Sequence, residues 1–367
     1  MKITRPTLFV NKNIVKNNIH TMATKAKENG VELIPHFKTH QSKEIGKWFK
    51  EETIETITVS SVSMAEYFAE DNWKHIFIAF PVNVLEIHQI ANLATKVELT
   101  LLVTSKEQLK ILLQEVEIYV NILIEIDTGS NRSGLNPSES QLISEMIDLL
   151  SGTQHNFKGF YSHFGHTYNA TSPVEVEQIY TKSLNIMHDL KYRHADAKPT
   201  ISIGDTPSCS IITEFDDVKS IHAGNFAFYD LTQAQIGSCR EEDIAIALAC
   251  PVVGKNAERN EIIVYGGGVH LSKESLYDHD IKASIYGKIV LFSEYGWSRS
   301  VPGCYVRSIS QEHGVVKLTP EAYHRIKIGD VIGVLPVHSC MTADVMAGYT
   351  EVSGEGIDHF KAQWISK

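Results

Sequence analysis

Apolar and polar positions along the chain change their rhythm near residue 225. Before that point, short runs of β-branched and other apolar residues alternate with longer stretches of helical period. The runs at 31–37, 55–60, 75–80, 97–103, 120–127, 157–163, 200–204 and 220–223 predict eight strands. Between them, segments such as 81–95, 105–114 and 137–150 carry helical periodicity with polar faces and predict amphipathic helices. Eight strands alternating with helices predict an α/β protein built on a (β/α)8 TIM-type barrel. An open doubly wound sheet is the structural alternative. No Gly-x-Gly-x-x-Gly turn follows the first strand, so a dinucleotide-binding version of it is disfavoured. Beyond Gly224 the runs become short and alternating, at 244–253, 261–265, 288–292, 303–308, 314–318 and 331–335, with Gly and Pro between them. They predict a mainly β domain. The expected division is 11–240 for the barrel and 241–367, joined by 1–10, for the β domain. Thr7-Leu8-Phe9-Val10 is a candidate extra strand.

The residues at the end of each strand sharpen the barrel expectation. In such a fold the loops after the strands carry the chemistry. Lys38 follows the first strand, in Ile34-Pro35-His36-Phe37-Lys38-Thr39-His40. The run Asp127-Thr128-Gly129-Ser130-Asn131-Arg132-Ser133-Gly134 follows the fifth, and Ser162-His163-Phe164-Gly165-His166-Thr167-Tyr168 the sixth. Gly204-Asp205-Thr206-Pro207-Ser208 follows the seventh, and Gly224-Asn225 the eighth. A lysine at the end of a first barrel strand is placed to form a Schiff base with a carbonyl cofactor. The loops after strands seven and eight offer backbone N–H groups and hydroxyls in the usual position of a barrel phosphate site. Neither contains Lys, so a phosphate there would be held mainly by dipoles. Together these features point to pyridoxal 5′-phosphate.

Composition narrows the class. Hydrophobic residues are 43% and charged residues 21% of the chain, ordinary values for a globular protein. A net charge of -10 with no basic stripe argues against a nucleic-acid partner. No apolar run approaches a membrane span, and Met1-Lys2-Ile3-Thr4-Arg5-Pro6 lacks the apolar core of a signal peptide. The five cysteines are scattered, which suits free thiols and a cytoplasmic location.

Four motifs in order then resemble a known family. They are Pro-His-x-Lys-Thr-His, Asp-x-Gly-x-x-Arg-x-Gly, Gly-Asp-Thr-Pro-Ser and Pro336-Val337-His338-Ser339-Cys340. The set is similar to that of the metal-dependent D-serine dehydratase and D-threonine aldolase group, within the alanine racemase-like (fold-type III) pyridoxal phosphate enzymes. The resemblance spans essentially the whole chain. It implies that Lys38 carries the cofactor and takes the α-proton of a D-amino acid, and that Arg132 contacts the cofactor's phenolic oxygen. Tyr168 matches the tyrosine near the pyridine ring, with Tyr161 as a rival. Thr206, Ser208, Gly224 and Asn225 fall at the phosphate cradle, where Tyr229 either adds a hydroxyl or packs in the core. His163 or His166 could line the pocket, while His36 and His40 read as supporting or packing residues.

His338 and Cys340 fall where the family keeps its catalytic metal. On a strand, residues two apart face the same side. Imidazole with thiolate suits a divalent metal, Zn2+ in particular, and two protein ligands leave positions open for water or substrate. The aldolase branch typically has aspartate as the second ligand, so a cysteine leans toward the dehydratases. Ile34 and Asp344 depart from the arginine and asparagine frequent in relatives, which bears on substrate identity. Gly266-Gly267-Gly268-Val269-His270 reads as a turn and not a phosphate loop, because no Lys-Ser/Thr follows. The implied activity is β-elimination of water from a D-3-hydroxy amino acid, giving a 2-oxo acid and ammonia. Retro-aldol cleavage to glycine and an aldehyde uses the same site. Racemisation, or non-catalytic cofactor binding, are further alternatives. The resemblance also implies a homodimer.

Overall fold

The computed structural model describes residues 2–362. Met1 and 363–367, at the limits of the expected β domain, lie outside the described residues. Two compact units emerge. One is His20–Lys38 with Phe49–Gly224, and the other is Met1–Ile19, Thr39–Trp48 and Asn225–Lys367. Their boundaries run through two of the motifs read from the sequence, between Lys38 and Thr39 and between Gly224 and Asn225.

The N-terminal strand β1 (Thr7–Val10) precedes eight strands of one parallel sheet. These are β2 (Glu32–Leu33), β3 (Thr56–Val59), β4 (His75–Pro81), β5 (Glu98–Val103), β6 (Asn121–Glu125), β7 (Asn156–Ser162), β8 (Thr200–Ile203) and β9 (Ser220–Ile221). Every expected barrel strand is present, and the sheet order runs β2-β9-β8-β7-β6-β5-β4-β3. A parallel bridge from His36 to Thr58 closes the ring, with Phe37 N–H donating to the Thr58 carbonyl and Thr58 N–H to that of Pro35. The fold is therefore a TIM-like barrel. Its interior is filled by packed side chains, among them Phe77, Leu102, Leu123 and Tyr161.

The predicted helices form with local caps. Ser105 caps Lys106–Glu115 by accepting from the Gln108 N–H, and Asp205 caps Thr206–Ile211 by accepting from that of Ser208. The 81–95 segment starts later than its periodicity implies. Pro81 ends β4, a 3-10 turn follows at Val84–Glu86, and the helix is Ile87–Ala94. Lys38 is held by its neighbour. Phe37 is fully buried, its ring 4.9 Å from Phe49, 5.0 Å from Phe68 and 5.1 Å from Trp73. Such an aromatic cluster loses about 3–5 kcal/mol when one ring is truncated to alanine, so it fixes the turn that follows β2.

In the other unit a nine-stranded sheet contains β1 and the C-terminal strands. Ile246–Asn256, Glu261–Tyr265, His313–Lys317, Tyr305–Ile309, Gly287–Val290 and Val331–Pro336 pair in succession, and the last returns to the first. Six strands thus close on themselves and leave no open edge among them. β1 pairs antiparallel with Ile246–Ala249, from Thr7 opposite Ala249 to Val10 opposite Ile246. Among the described residues no helix is long and apolar enough to cross a membrane.

Candidate active site

Within the barrel unit, the expected residues gather at the C-terminal ends of the strands. Lys38 is exposed, although His36, Phe37, Thr39 and His40 around it are buried. Its backbone N–H donates to Nδ1 of His36 at 3.4 Å. Burial, followed by the nearby charge of Lys38, holds His36 well below the usual imidazole range. His36 is therefore neutral and accepts through Nδ1. His163 donates from Nδ1 to the Gly204 carbonyl. Burial and the cations Arg132 and Lys38 push it down to about 3, so it too is neutral near pH 7. Two cations and two neutral imidazoles make a site suited to an anionic ligand.

Arg132 is exposed at the tip of a tight loop. Asp127 Oδ1 accepts from the N–H groups of Gly129 (2.9 Å) and Asn131 (3.1 Å), and a bridge from Ile126 to Leu135 closes the base. Gly134 is required there. Its φ is +104°, and a Cβ would come within 2.7 Å of the Asp127 nitrogen. Below the loop, buried Glu125 accepts from the Ser133 hydroxyl at 2.9 Å. Burial raises the Glu125 carboxyl, against the pull of Ser133 and Arg132.

The phosphate-cradle positions divide by atom. The backbone groups that open the Thr206–Ile211 helix are already used. Thr206 N–H donates to the Tyr168 hydroxyl at 3.2 Å, and Ser208 N–H donates to Asp205 at 2.7 Å. Pro207, between them, has no N–H to give. The fully buried hydroxyls Thr206 Oγ1 and Ser208 Oγ have no hydrogen-bond partner among the described residues. Buried polar atoms are ordinarily satisfied, so two orphaned hydroxyls at the mouth of a barrel fit the phosphate of a bound cofactor. The sequence suggested backbone donors as well as hydroxyls; at this helix the hydroxyls remain. Tyr168 lies beside His163, ring centroids 6.2 Å apart. Tyr161 is a core residue, packed against Phe77 at 5.2 Å and His222 at 5.5 Å. Asp205, fully buried, is pushed up to about 6 by burial.

His222 lies beneath these groups in the barrel interior. Thr58 Oγ1 is 2.8 Å from its Nδ1 and Ser220 Oγ 2.9 Å from its Nε2. Burial holds it down to about 3. A histidine depressed in the folded state contributes stability that is present above about pH 6.5 and lost as pH falls toward 3. The slope reaches about 1.4 kcal/mol per pH unit. Between pH 6.5 and 5, urea unfolding of the wild type should lose about 1.6 kcal/mol relative to His222→Gln. A difference that stays flat across that range would show that His222 ionises normally in the folded chain.

The second unit carries the predicted metal ligands, on an element other than the one expected. The strand ends at Pro336, His338 is the N-cap residue of the helix Ser339–Met346, and Cys340 lies in its first turn. The two side chains meet because the strand-to-helix turn brings them together, and the alternation of a strand plays no part. Buried Asp230 makes that turn by accepting from the Ser339 N–H at 3.0 Å. The imidazole is hydrogen-bonded on one side to Glu274 and on the other to Cys340. Burial opposes charge on both residues, but these bonds overcome it. They push His338 up to about 11 and draw the Cys340 thiol below its ordinary range. An imidazole nitrogen and a thiol sulfur thus stand within hydrogen-bond reach of one another, and such a donor set fits a soft divalent cation. Among the described residues no group of three or more His, Cys, Asp or Glu side chains is placed to hold a metal ion. Asp344 turns away, pairing with Gln41 (3.0 Å) and Lys361.

Asn225 is committed to this unit. Its side-chain amide donates to Asp230 (2.7 Å), Ser339 (3.0 Å) and Cys340 (3.4 Å), and its Oδ1 has no partner among the described residues. An acceptor does not hold a phosphate oxygen, so any bond from Asn225 to an anion would come from its backbone N–H. Thr39 also supports the sulfur, Oγ1 lying 3.3 Å from Cys340 Sγ. Sequence reasoning overlooked Asp230 and Glu274. Asp230 had a detectable signal, an Asp three residues before Gln233, which is the pattern of a helix start. Glu274 had none, because it meets His338 across 64 residues.

Comparison with known proteins agrees with this architecture. The family model described as "Putative serine dehydratase domain" matches residues 245–352. The model described as "Alanine racemase, N-terminal domain" matches residues 10–222. The chain is 29% identical to D-serine dehydratase of Dictyostelium discoideum, over 97% of this chain and 95% of that protein. Its fold is similar to that of D-threo-3-hydroxyaspartate dehydratase from Delftia sp. HT23, with a TM-score of 0.89 and 24% identity over 97% of each chain. D-threonine aldolase from Filomicrobium marinum shares the fold at a TM-score of 0.83 and 19% identity, over 100% of this chain and 99% of that one. With the racemase-domain match running through more than half of its length, the chain belongs to the alanine racemase family of pyridoxal-phosphate-dependent barrel enzymes.

Proposed function

We propose that this chain is a metal-assisted lyase that removes water from a D-3-hydroxy amino acid, D-serine among them, and releases a 2-oxo acid and ammonia. The observation that carries the reading is the hydrogen-bonded His338–Cys340 pair. A racemase has no use for a soft metal site, whereas departure of a β-hydroxyl does, because hydroxide is a poor leaving group at neutral pH. The serine dehydratase match and the similarity to D-serine dehydratase support it.

When bound, pyridoxal phosphate supplies an electron sink at the substrate's α-carbon and a divalent cation supplies a Lewis acid for its β-oxygen. Lys38 would hold the cofactor and then take the α-proton on Nζ. His36 and His163, held neutral, would add no positive charge beside Lys38 to compete for the anionic ligand. Arg132 would place its guanidinium on a cofactor oxygen, and Thr206 Oγ1 and Ser208 Oγ would donate to the phosphate. Tyr168 already bonds the Thr206 backbone, so it would fix the cradle beside the ring. His338 and Cys340 would hold the cation and leave it open to substrate.

Product analysis tests this directly. Purified protein, mixed with D-serine and D-threonine with and without a chelator, should yield chelator-sensitive 2-oxo acid and ammonia. Glycine with acetaldehyde from D-threonine would make it an aldolase instead, and chelator-insensitive L-serine from D-serine would make it a racemase.

A further inference from the structure

His338 reaches its present orientation through a residue outside the metal pair. Glu274 Oε2 lies 2.5 Å from His338 Nδ1, so Nδ1–H donates to the carboxylate and Nε2 is the atom turned to other partners. We propose that Glu274 is a positioning residue for the metal, holding the His338 ring in the tautomer and orientation that offer Nε2 to a divalent cation beside Cys340 Sγ. This rests on the metal reading given above and extends it to a residue with no motif of its own. Carboxylates in this position raise the basicity of a metal-bound imidazole and limit its rotation.

The loop that delivers Glu274 is built to hold it there. It begins with the three glycines at 266–268, which the sequence marks as a turn. Their role is close packing. A Cβ at Gly267 would come within 2.5 Å of the backbone oxygens of Ser310 and Gln311. Gly266 N–H donates to the Glu312 carbonyl at 2.9 Å and Gly268 N–H to that of Ser310 at 2.8 Å. The short helix Gly268–Leu271 is then tied to the helix bearing Cys340, because buried Thr342 donates from Oγ1 to the Leu271 carbonyl at 3.1 Å. Ser272 turns the chain at a φ of +69°, and its hydroxyl accepts from the Glu274 N–H at 3.3 Å. Glu274 and the metal pair are therefore anchored to one another through two packed helices. The side chains of the ion pair are partly exposed, 34% for His338 and 46% for Glu274. A pair so open to water contributes little to folding and can be removed without unfolding the domain.

The test is Zn2+ affinity, measured by chelator competition on the pyridoxal-phosphate-loaded protein. Glu274→Gln should weaken binding about 10–100-fold, and Glu274→Asp should recover part of the loss. The thiolate absorption of the Co2+-substituted protein should stay in place, as expected if Cys340 and His338 remain the ligands. Affinity of Glu274→Gln within about twofold of wild type would overturn the proposal. So would a shifted Co2+ spectrum, which would make Glu274 a ligand. A wild-type chain that binds Zn2+ no better than His338→Ala would instead remove the metal reading, and Glu274's role with it.

Discussion

Lys38→Ala should lower kcat/KM for dehydration by about 10²–10⁴-fold, the range for losing a positioned proton-transfer group, with further loss from the missing covalent anchor. The expectation is specific because the neighbours are poor substitutes. His36 is buried and neutral, with Nδ1 occupied by the Lys38 backbone, and His163 spends Nδ1 on Gly204. Arg132 offers a guanidinium, which has N–H donors and no acceptor. The lysine is exposed, so its truncation should cost within about 0.5 kcal/mol of stability, and the fold is left to report normally. Borohydride reduction followed by peptide mapping separates this from a trivial loss. The wild type should carry the cofactor on the peptide containing Lys38, and the variant should carry none. Activity within about tenfold of wild type would assign proton removal to another group.

Cys340→Ala and His338→Ala should each remove the metal and lower 2-oxo acid formation by about 10²–10⁴-fold. A Lewis acid supplies several kcal/mol to a departing hydroxyl, and every ~1.4 kcal/mol is a factor of ten in rate. The double variant should be little worse than either single one, because two ligands to one ion act as a unit. Bound metal, measured by elemental analysis, should fall in parallel. The absorbance of the bound cofactor should persist, since Lys38, Thr206 and Ser208 are untouched. Cys340→Ala that keeps full activity in the presence of chelator would refute the metal-assisted route.

The barrel was legible because buried parallel strands are written as apolar runs, and all eight appear where those runs lie. The lengths were less so. The expected strand 31–37 retains ladder pairing only at Glu32–Leu33, with a bridge at His36, since backbone pairing depends on neighbours distant in sequence. Lys38, Arg132, Tyr168, Thr206 and Ser208 could be placed at one end of the barrel because each comes shortly after a strand. The surroundings of His338 could not. The extended run through Val331–Pro336 gives no warning that the next residues turn into a helix, because the acceptor that makes the turn is Asp230, 109 residues earlier. The sequence places Asn225 at the phosphate cradle after the eighth strand, and nothing local to it shows that its amide is claimed by Asp230 and Ser339. Long-range hydrogen bonds decide such roles, and periodicity does not record them.

The pairing of β1 with Ile246–Ala249 sets a waiting time during synthesis. Thr7 leaves the ribosome long before Ala249, the residue it pairs with. At about 5–20 residues per second, a gap of roughly 240 residues lasts on the order of 10–50 s. For that time Leu8, Phe9 and Val10, all buried in the finished molecule, have no strand to join. An unpaired apolar strand is a template for wrong association. Chains stalled or truncated before residue 246 should therefore engage chaperones or aggregate through their N-terminal strand, whatever the state of the barrel behind it.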